Sequence, residues 1–330
     1  MRSHEKETAT THQIDLPPYR PPSEAHSVLL RVTRGCPWNR CAFCGMYKQL
    51  RFEVRELEEI YRDIDALREI WPQARSVFLA DSDALVHPRR LEIVRRVRAA
   101  FPEAERITSY SRLSTLRRLS PEKMRDLREA GLTRVHAGLE SGSARVLERA
   151  CKGITPAQAI AGGRRAVEAG FSVCLYVLCG LGGEEDWEEH ARETARVIAA
   201  LRPQFVRLRS LALLPETPLR EAWEAGRFVP IAPITRLRET RLLVERLSQL
   251  LLEHGDGSAE TPAEIEIVSD HFTNQVWVDA AVVYEGIHGR VPREQARLLA
   301  ILDHAIDRAQ RGRRTEDIGS LALRRRIPQL

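Results

Sequence analysis

Short apolar runs and amphipathic helical patterns alternate along the first two thirds of this chain, and that order limits the folds open to it. Candidate strands fall at residues 28–33, 76–80, 106–111, 133–139, 171–178 and 205–211, each bounded by turn residues. Helical patterns occupy 53–70, 88–100, 120–131, 155–170 and 184–201. Ser120-Pro-Glu opens one and Gly131 closes it; Thr155-Pro opens another and Gly170 closes it. Strands that succeed one another through helices pair in parallel, because a parallel neighbour needs a crossover. The expectation is an α/β fold, either a doubly wound sheet or a barrel. In a barrel, reacting groups gather at the C-terminal ends of the strands. The unusual residues of this chain do follow its strands.

Composition supplies the core and narrows the setting. Of 330 residues, 43% are hydrophobic and 29% charged, enough apolar material for a large core. No apolar run approaches the roughly 18 residues of a membrane span, and the polar start, MRSHEKETATTHQID, lacks a signal-peptide core. A cytoplasmic protein is expected, without contact with a membrane. Basic residues number 51 against 46 acidic, a net charge of +5, and only Lys6, Lys48, Lys123 and Lys152 are lysines. Arginines scattered among acids read as an ion-paired surface. The local excess at Arg308, Arg311, Arg313, Arg314, Arg324, Arg325 and Arg326 reads first as a surface tail, with nucleic-acid binding the lesser alternative. Three segments are expected: a proline-punctuated arm (1–26), the strand–helix core (27–230), and an extension (231–330) with helices at 234–254 and 292–310 and a strand at 264–269.

Three of the six cysteines, Cys36, Cys41 and Cys44, are crowded into nine residues, while Cys151, Cys174 and Cys179 are dispersed. Without an export signal a disulfide scaffold is not expected, and a tight trio reads as metal ligation. Three thiolates can hold three irons of a [4Fe–4S] cube and leave the fourth open to a small molecule, much as a catalytic zinc keeps one position free. A structural zinc would want a fourth ligand close by, and His26 lies ten residues upstream. Three inert buried cysteines are the plain alternative. That reading does not explain crowding among Pro37, Asn39, Arg40 and Gly45.

This loop, with Phe43 before its last cysteine, resembles that of the radical S-adenosylmethionine (SAM) superfamily. The spacing departs from the family's C-x3-C-x2-C by one extra residue in the first gap. Phe78-Leu-Ala-Asp-Ser-Asp-Ala84 stands where the family has a Gly-Gly-Glu-like turn that receives the SAM amino group. Asp81 and Asp83 would there offer carbonyls or carboxylates, although a helix N-cap explains either one equally well. His136-Ala-Gly-Leu-Glu-Ser-Gly142, with Lys152-Gly153 downstream, is similar to the fourth-strand block of the branch containing methylthiotransferases, the Elongator catalytic subunit and oxygen-independent coproporphyrinogen oxidase. Glu140 would bind ribose hydroxyls or the methionyl amine, with Ser141 beside it. Tyr176-Val-Leu-Cys-Gly-Leu-Gly-Gly-Glu184 resembles the fifth-strand block along adenine, which includes Gly180. The resemblance covers about residues 18–310.

The resemblance implies a partial (β/α)6 TIM-like barrel with a C-terminal extension, binding one [4Fe–4S] cluster and SAM. It implies a reducing partner such as flavodoxin or ferredoxin, and one-electron cleavage of a carbon–sulfur bond, usually to methionine and a 5′-deoxyadenosyl radical. Cys36, Cys41 and Cys44 would ligate the cluster, and Phe43, Arg112, Glu140, Ser141, Gly180 and Arg209 would join Asp81 and Asp83 around SAM. Strand alternation puts His136, Gly138 and Glu140 on one face, Tyr110 with Arg112, and Arg207 with Arg209. Tyr110, His136 and Cys179 are the candidate catalytic residues. The alternatives are a hydrogen-bonded core histidine and a small apolar filler. An arginine facing the lumen would need an anionic partner, either the SAM carboxylate or an acidic small-molecule substrate. The 26 residues before the first strand are too few for a cobalamin-type domain, which weighs against methyl transfer by that route. The alternative functions are cleavage to a 3-amino-3-carboxypropyl radical, favoured if the extra loop residue reorients SAM, and an iron–sulfur or zinc binding protein without turnover.

Overall fold

The computed structural model describes residues 13–17, 19–253 and 264–317. Most of the arm's first half, position 254 of the expected long helix, and Arg324, Arg325 and Arg326 of the basic tail lie outside the described residues. Eight strands form one sheet in chain order: β1 (Val28–Arg31), β2 (Ser76–Ala80), β3 (Arg106–Tyr110), β4 (Leu132–Glu140), β5 (Ser172–Cys179), β6 (Phe205–Ser210), β7 (Ile265–Val268) and β8 (His288–Val291). The first seven pair in parallel with their predecessors, and β8 lies antiparallel at the edge. This is the expected partial TIM-like barrel. Its sheet runs on across residue 230, because the strand expected at 264–269 adds to β6 in parallel.

Crossover helices are α1 (Leu57–Ile70), α2 (Arg90–Ala100), α3 (Leu113–Arg118), α4 (Pro121–Glu129), α5 (Ala144–Arg149), α6 (Pro156–Glu168) and α7 (Gly183–Leu201). Then come α8 (Pro218–Glu224), α9 (Pro233–Glu253) and α10 (Gln295–Arg311). Side-chain caps fix several starts: Ser120 accepts from the Lys123 amide, and Thr155 with Gln158 forms a reciprocal capping box. The helix expected from residue 53 begins at Leu57, because Glu53–Val54 pairs antiparallel with Thr33–Arg34 instead. The short helices α3, α5 and α8 were not expected; six or seven residues carry little periodicity. Among the described residues, no helix is long and apolar enough to cross a membrane. The described basic residues near the end are partly neutralised, Arg311 by Asp307 and Arg314 by Glu316.

The outward residues of the central strands, Val135, Ala137 and Leu139 of β4 and Val173, Leu175 and Val177 of β5, are buried with Ala159 and Ala166 of α6 and Ala191 and Ala195 of α7. Small helix residues let α6 and α7 sit close on the sheet. Behind the strand ends lies a buried polar brace. One Glu239 oxygen accepts the Gly180 amide at 2.7 Å, and the other meets His190 Nδ1 at 2.8 Å. His190 Nε2 reaches the Glu140 carbonyl at 3.1 Å. Both ring nitrogens face acceptors, so the ring is held as the imidazolium. Burial works against that charge, but Glu239 and the Glu140 carbonyl outweigh it and raise the His190 pKa. The stabilisation is therefore full below the unfolded value of about 6.5 and is lost as pH rises through the raised folded value. Glu239→Ala should cost about 3–5 kcal/mol at pH 6, measured by urea unfolding, and less as pH increases.

Candidate active site

A strand end, a glycine turn and three thiols build one wall of the site. After β1 the chain turns at Gly35, whose φ of +77° favours glycine, and the Gly35 amide donates to Asp81 Oδ2 at 2.8 Å. The loop beyond is tied down at both ends. The Ala42 amide donates to the Ala150 carbonyl at 2.9 Å, and the Leu219 amide donates to the Ala42 carbonyl at 2.9 Å. Trp38 lies against Gly153, where a β-carbon would strike its indole, and its Nε1–H donates to the Cys151 carbonyl at 2.7 Å. Lys48 Nζ donates to the Asn39 carbonyl at 2.9 Å and to the Cys41 carbonyl at 3.3 Å. The loop thus presents Cys36, Cys41, Phe43 and Cys44 to a cavity of about 370 Å³ at the strand ends.

Glu140 provides the second wall. It ends β4 with φ +65°, and the β4–β5 register slips between Gly138 and Glu140. Its carboxylate folds back over Gly138, where a β-carbon would collide with it, and pairs with Lys152 Nζ at 2.8 Å. Only 14% of the Glu140 side chain and 12% of that of Lys152 are exposed. Burial opposes the ammonium, yet Glu140 and Cys41 outweigh it and raise the Lys152 pKa. Burial pushes the Cys41 and Cys44 thiols up, and the Lys152 charge draws them back toward thiolate. Arg112 donates to the Lys152 carbonyl at 3.0 Å and lies over the Trp38 ring, 5.0 Å from its centroid.

The third wall is aromatic. Tyr110, His136 and Tyr176 line the cavity, with His136 centred 6.1 Å from Tyr110 and 6.2 Å from Tyr176. His136 is fully buried and donates from Nε2 to Glu24 Oε1 at 3.0 Å. Burial lowers its pKa, so the ring is neutral and its Nδ1 accepts from the Tyr176 hydroxyl at 3.4 Å. His136 is thus a hydrogen-bonded core histidine that also borders the cavity. Burial also works to raise Glu24, but His136 and Ser27 outweigh it and keep the carboxylate ionised.

Among the described residues, no three Cys, His, Asp or Glu side chains converge closely enough to hold a single metal ion. The three thiols share a cavity wall instead, as ligands to separate irons of one cluster would. The cavity-lining residues include no fourth thiol, and their one histidine is engaged by Glu24. The residues fit a three-cysteine [4Fe–4S] cluster with one open iron.

Comparison with known proteins agrees. Residues 30–195 match the Radical SAM superfamily, half of the chain. The chain belongs to the radical SAM superfamily. Its cofactors are accordingly a [4Fe–4S] cluster and SAM. It is also similar, at 25% identity over 234 residues, to an uncharacterized methyltransferase, PH0819, of Pyrococcus horikoshii, covering 68% of this chain and 49% of that protein. The chain thus spans about half the length of the curated relative it matches. Among solved structures, it shares its fold with the radical SAM methyltransferase TsrM of Kitasatospora setae with tryptophan and a SAM analogue bound. There the TM-score is 0.50 at 22% identity, over 61% of this chain and 39% of that one. It shares it also with the cobalamin-dependent SAM radical enzyme OxsB with aqua-cobalamin and SAM bound, with a TM-score of 0.51 at 13% identity, over 70% and 42%.

Not every expected residue of the radical SAM site reaches the cavity. Cys36, Cys41, Phe43, Cys44, Tyr110, Arg112, His136, Glu140 and Arg209 do. The Asp81 carboxylate does not: it is buried between the Gly35 amide and Arg31. That of Asp83 is also buried, accepting from Ser111 Oγ at 3.1 Å and Thr115 Oγ1 at 2.6 Å. Ser82, between them, lines the cavity in their place. Ser141 is buried in the turn before α5, its hydroxyl accepting from the Ser143 amide at 3.0 Å. Cys179 and Gly180 face a separate cavity of about 210 Å³ bordered by Pro230, Ile231 and Arg236. Cys179 is buried against Thr240, and burial pushes its thiol up to about 12. Lys152, Tyr176 and Trp38 were not expected as site residues. Lys152 carried a signal, the Lys-Gly pair after the fourth-strand block, whose glycine makes room for Trp38.

Burial raises the Asp83 carboxyl to about 6, against the hydrogen bonds from Thr115 and Ser111. A carboxyl raised on folding leaves stability undisturbed below its unfolded pKa of about 3.9 and lowers it as pH rises to about 6. Asp83→Asn should flatten that decline, measured by thermal unfolding between pH 4 and 7, and should leave SAM affinity within about twofold, measured by calorimetry.

Proposed function

We propose that this chain is an enzyme that uses SAM for radical chemistry on a small molecule held in the same cavity. The observation that carries this reading is the sharing of one cavity by three thiols, a buried carboxylate–ammonium pair and an aromatic wall. When bound, the cluster and SAM supply a one-electron cleavage of a carbon–sulfur bond. The chain's own residues do the rest. Cys36, Cys41 and Cys44 hold the cluster and leave one iron free. Glu140, aimed by its left-handed backbone and steadied by Lys152, accepts hydrogen bonds from the ribose hydroxyls or the amine of SAM. Phe43 and Leu178 keep water from the reacting end. Electrons come from a small reducing protein of the flavodoxin or ferredoxin kind.

Similarity to PH0819 supports methyl transfer as a second outcome, and the longer first gap in the cysteine motif keeps a 3-amino-3-carboxypropyl product open. One experiment separates them. Anaerobic reconstitution should give about four irons per chain. Added dithionite and SAM should then release 5′-deoxyadenosine, read by chromatography. Methylthioadenosine would mark the other bond, and S-adenosylhomocysteine would mark methyl transfer. A protein that binds zinc alone and forms none of these would overturn the proposal. Alanine at Cys36, Cys41 or Cys44 should abolish product formation and deplete iron. Lys152→Met should weaken SAM binding about tenfold by leaving Glu140 unpaired, read by calorimetry on the reconstituted protein.

A further inference from the structure

Three cationic side chains line the cavity, and Arg209 differs from the other two in leaving a buried guanidinium nitrogen without a hydrogen-bond partner. Lys152 is paired with Glu140 and sits over Phe43, 5.9 Å from the ring centroid. Arg112 is bonded to the Lys152 carbonyl and stacked on Trp38. Both belong to the cluster-loop end. Arg209, on β6, belongs to the other end. Its guanidinium lies over Tyr176, 5.7 Å from the ring centroid. Its Nη1 donates to the neighbouring Leu208 carbonyl at 3.0 Å, while Nη2 is buried with no hydrogen-bond partner. No carboxylate among the described residues lies within 4.0 Å of it; Asp270 pairs instead with Arg207, at 3.8 Å.

A guanidinium taken from water without a counter-charge is costly unless something else supplies the charge. Arg209 is nevertheless firmly placed. The Leu208 carbonyl that it touches also accepts from Asn274 Nδ2 at 3.0 Å, and Asn274 Oδ1 accepts from the Ser210 hydroxyl at 2.9 Å. Asn274 ends the short helical turn Phe272–Asn274 after β7, so the C-terminal extension braces the strand end from which Arg209 projects. Beside it, Tyr110, His136 and Tyr176 offer ring surfaces to whatever occupies this end. A planar fork next to aromatic faces suits a carboxylate carried on a flat, unsaturated body.

We propose that Arg209 is the carboxylate-recognising residue at the aromatic end of the cavity, and that the substrate is a small carboxylate with a flat body. This rests on the reading of the cavity as a radical SAM site, and it goes further by naming the substrate class. The same carboxylate chemistry could come from the methionyl end of SAM, so the experiment carries an arm for each source.

Benzoate and its neutral isostere benzamide are the probes, titrated by calorimetry into reconstituted, SAM-loaded protein. Benzoate should bind at least tenfold more tightly than benzamide. Arg209→Gln should bring the two within about twofold of each other, and Arg209→Lys should keep part of the preference. SAM affinity should stay within about twofold of the parent, as should iron content. Unchanged circular dichroism would show that the variants fold. The proposal is overturned if the parent does not prefer benzoate, or if Arg209→Gln leaves the preference intact. It is overturned too if Arg209→Gln weakens SAM tenfold or more while sparing the benzoate preference, which would assign the residue to SAM. Release of 5′-deoxyadenosine with dithionite scores the parent reading separately, because the probe ratio is a binding measurement that does not depend on turnover.

Discussion

The ion pair between Glu140 and Lys152 is the interaction on which the site depends. A carboxylate and an ammonium, each largely withdrawn from water, hold each other beside the cysteine loop. Either charge alone would be strongly unfavourable there. The pair in turn dictates its surroundings. Residue 138 has no side chain because the carboxylate lies where one would be. Glu140 takes a left-handed backbone, at a cost of order 1 kcal/mol, and the sheet register slips beside it. His190 and Glu239 then fix the Glu140 carbonyl and the Gly180 amide, so two neighbouring strand ends are held by helices behind the sheet. The strain at the strand end is supported by a buried network outside the cavity.

The fold was largely legible because strand and helix periods alternate cleanly, and prolines and glycines mark their ends. What was less legible depends on tertiary context. Helices α3, α5 and α8 are too short to show a period, and each is stabilised by packing more than by propensity. The same holds for the seventh parallel strand. Its four residues, Ile265–Val268, read as an isolated strand, and only pairing with β6 makes them part of the sheet.

At the site, residues whose chemistry is carried by spacing along the chain were easier to read than those whose role depends on direction. Cys36, Cys41 and Cys44 announce themselves by crowding, and Glu140 by standing at the end of a buried strand. Asp81 and Asp83 occupy the expected segment, yet their carboxylates turn to satisfy the Gly35 amide and the Ser111 and Thr115 hydroxyls. A short acidic side chain in a turn has backbone and hydroxyl donors within reach, and sequence alone does not say whether it serves those or the cavity. Cys179 shows the other limit. It alternates onto the outward face of β5 with Val173, Leu175 and Val177, while Tyr176 and Leu178 face the cavity, so its thiol meets Thr240 of α9 instead of the cluster.

The distribution of charge divides the cavity into two ends with different demands. Near the cysteines, the Lys152 ammonium is matched by the Glu140 carboxylate, and Arg112 donates to the Lys152 carbonyl and stacks on Trp38. At the aromatic end, the phenols of Tyr110 and Tyr176 are pushed up by burial and stay neutral, and so does His136. None of them can offset Arg209. The aromatic end therefore discriminates through an unused donor, Arg209 Nη2, which is buried with no hydrogen-bond partner. The extension beyond residue 230 contributes to that discrimination, because Asn274 secures the strand end that carries the unmatched guanidinium.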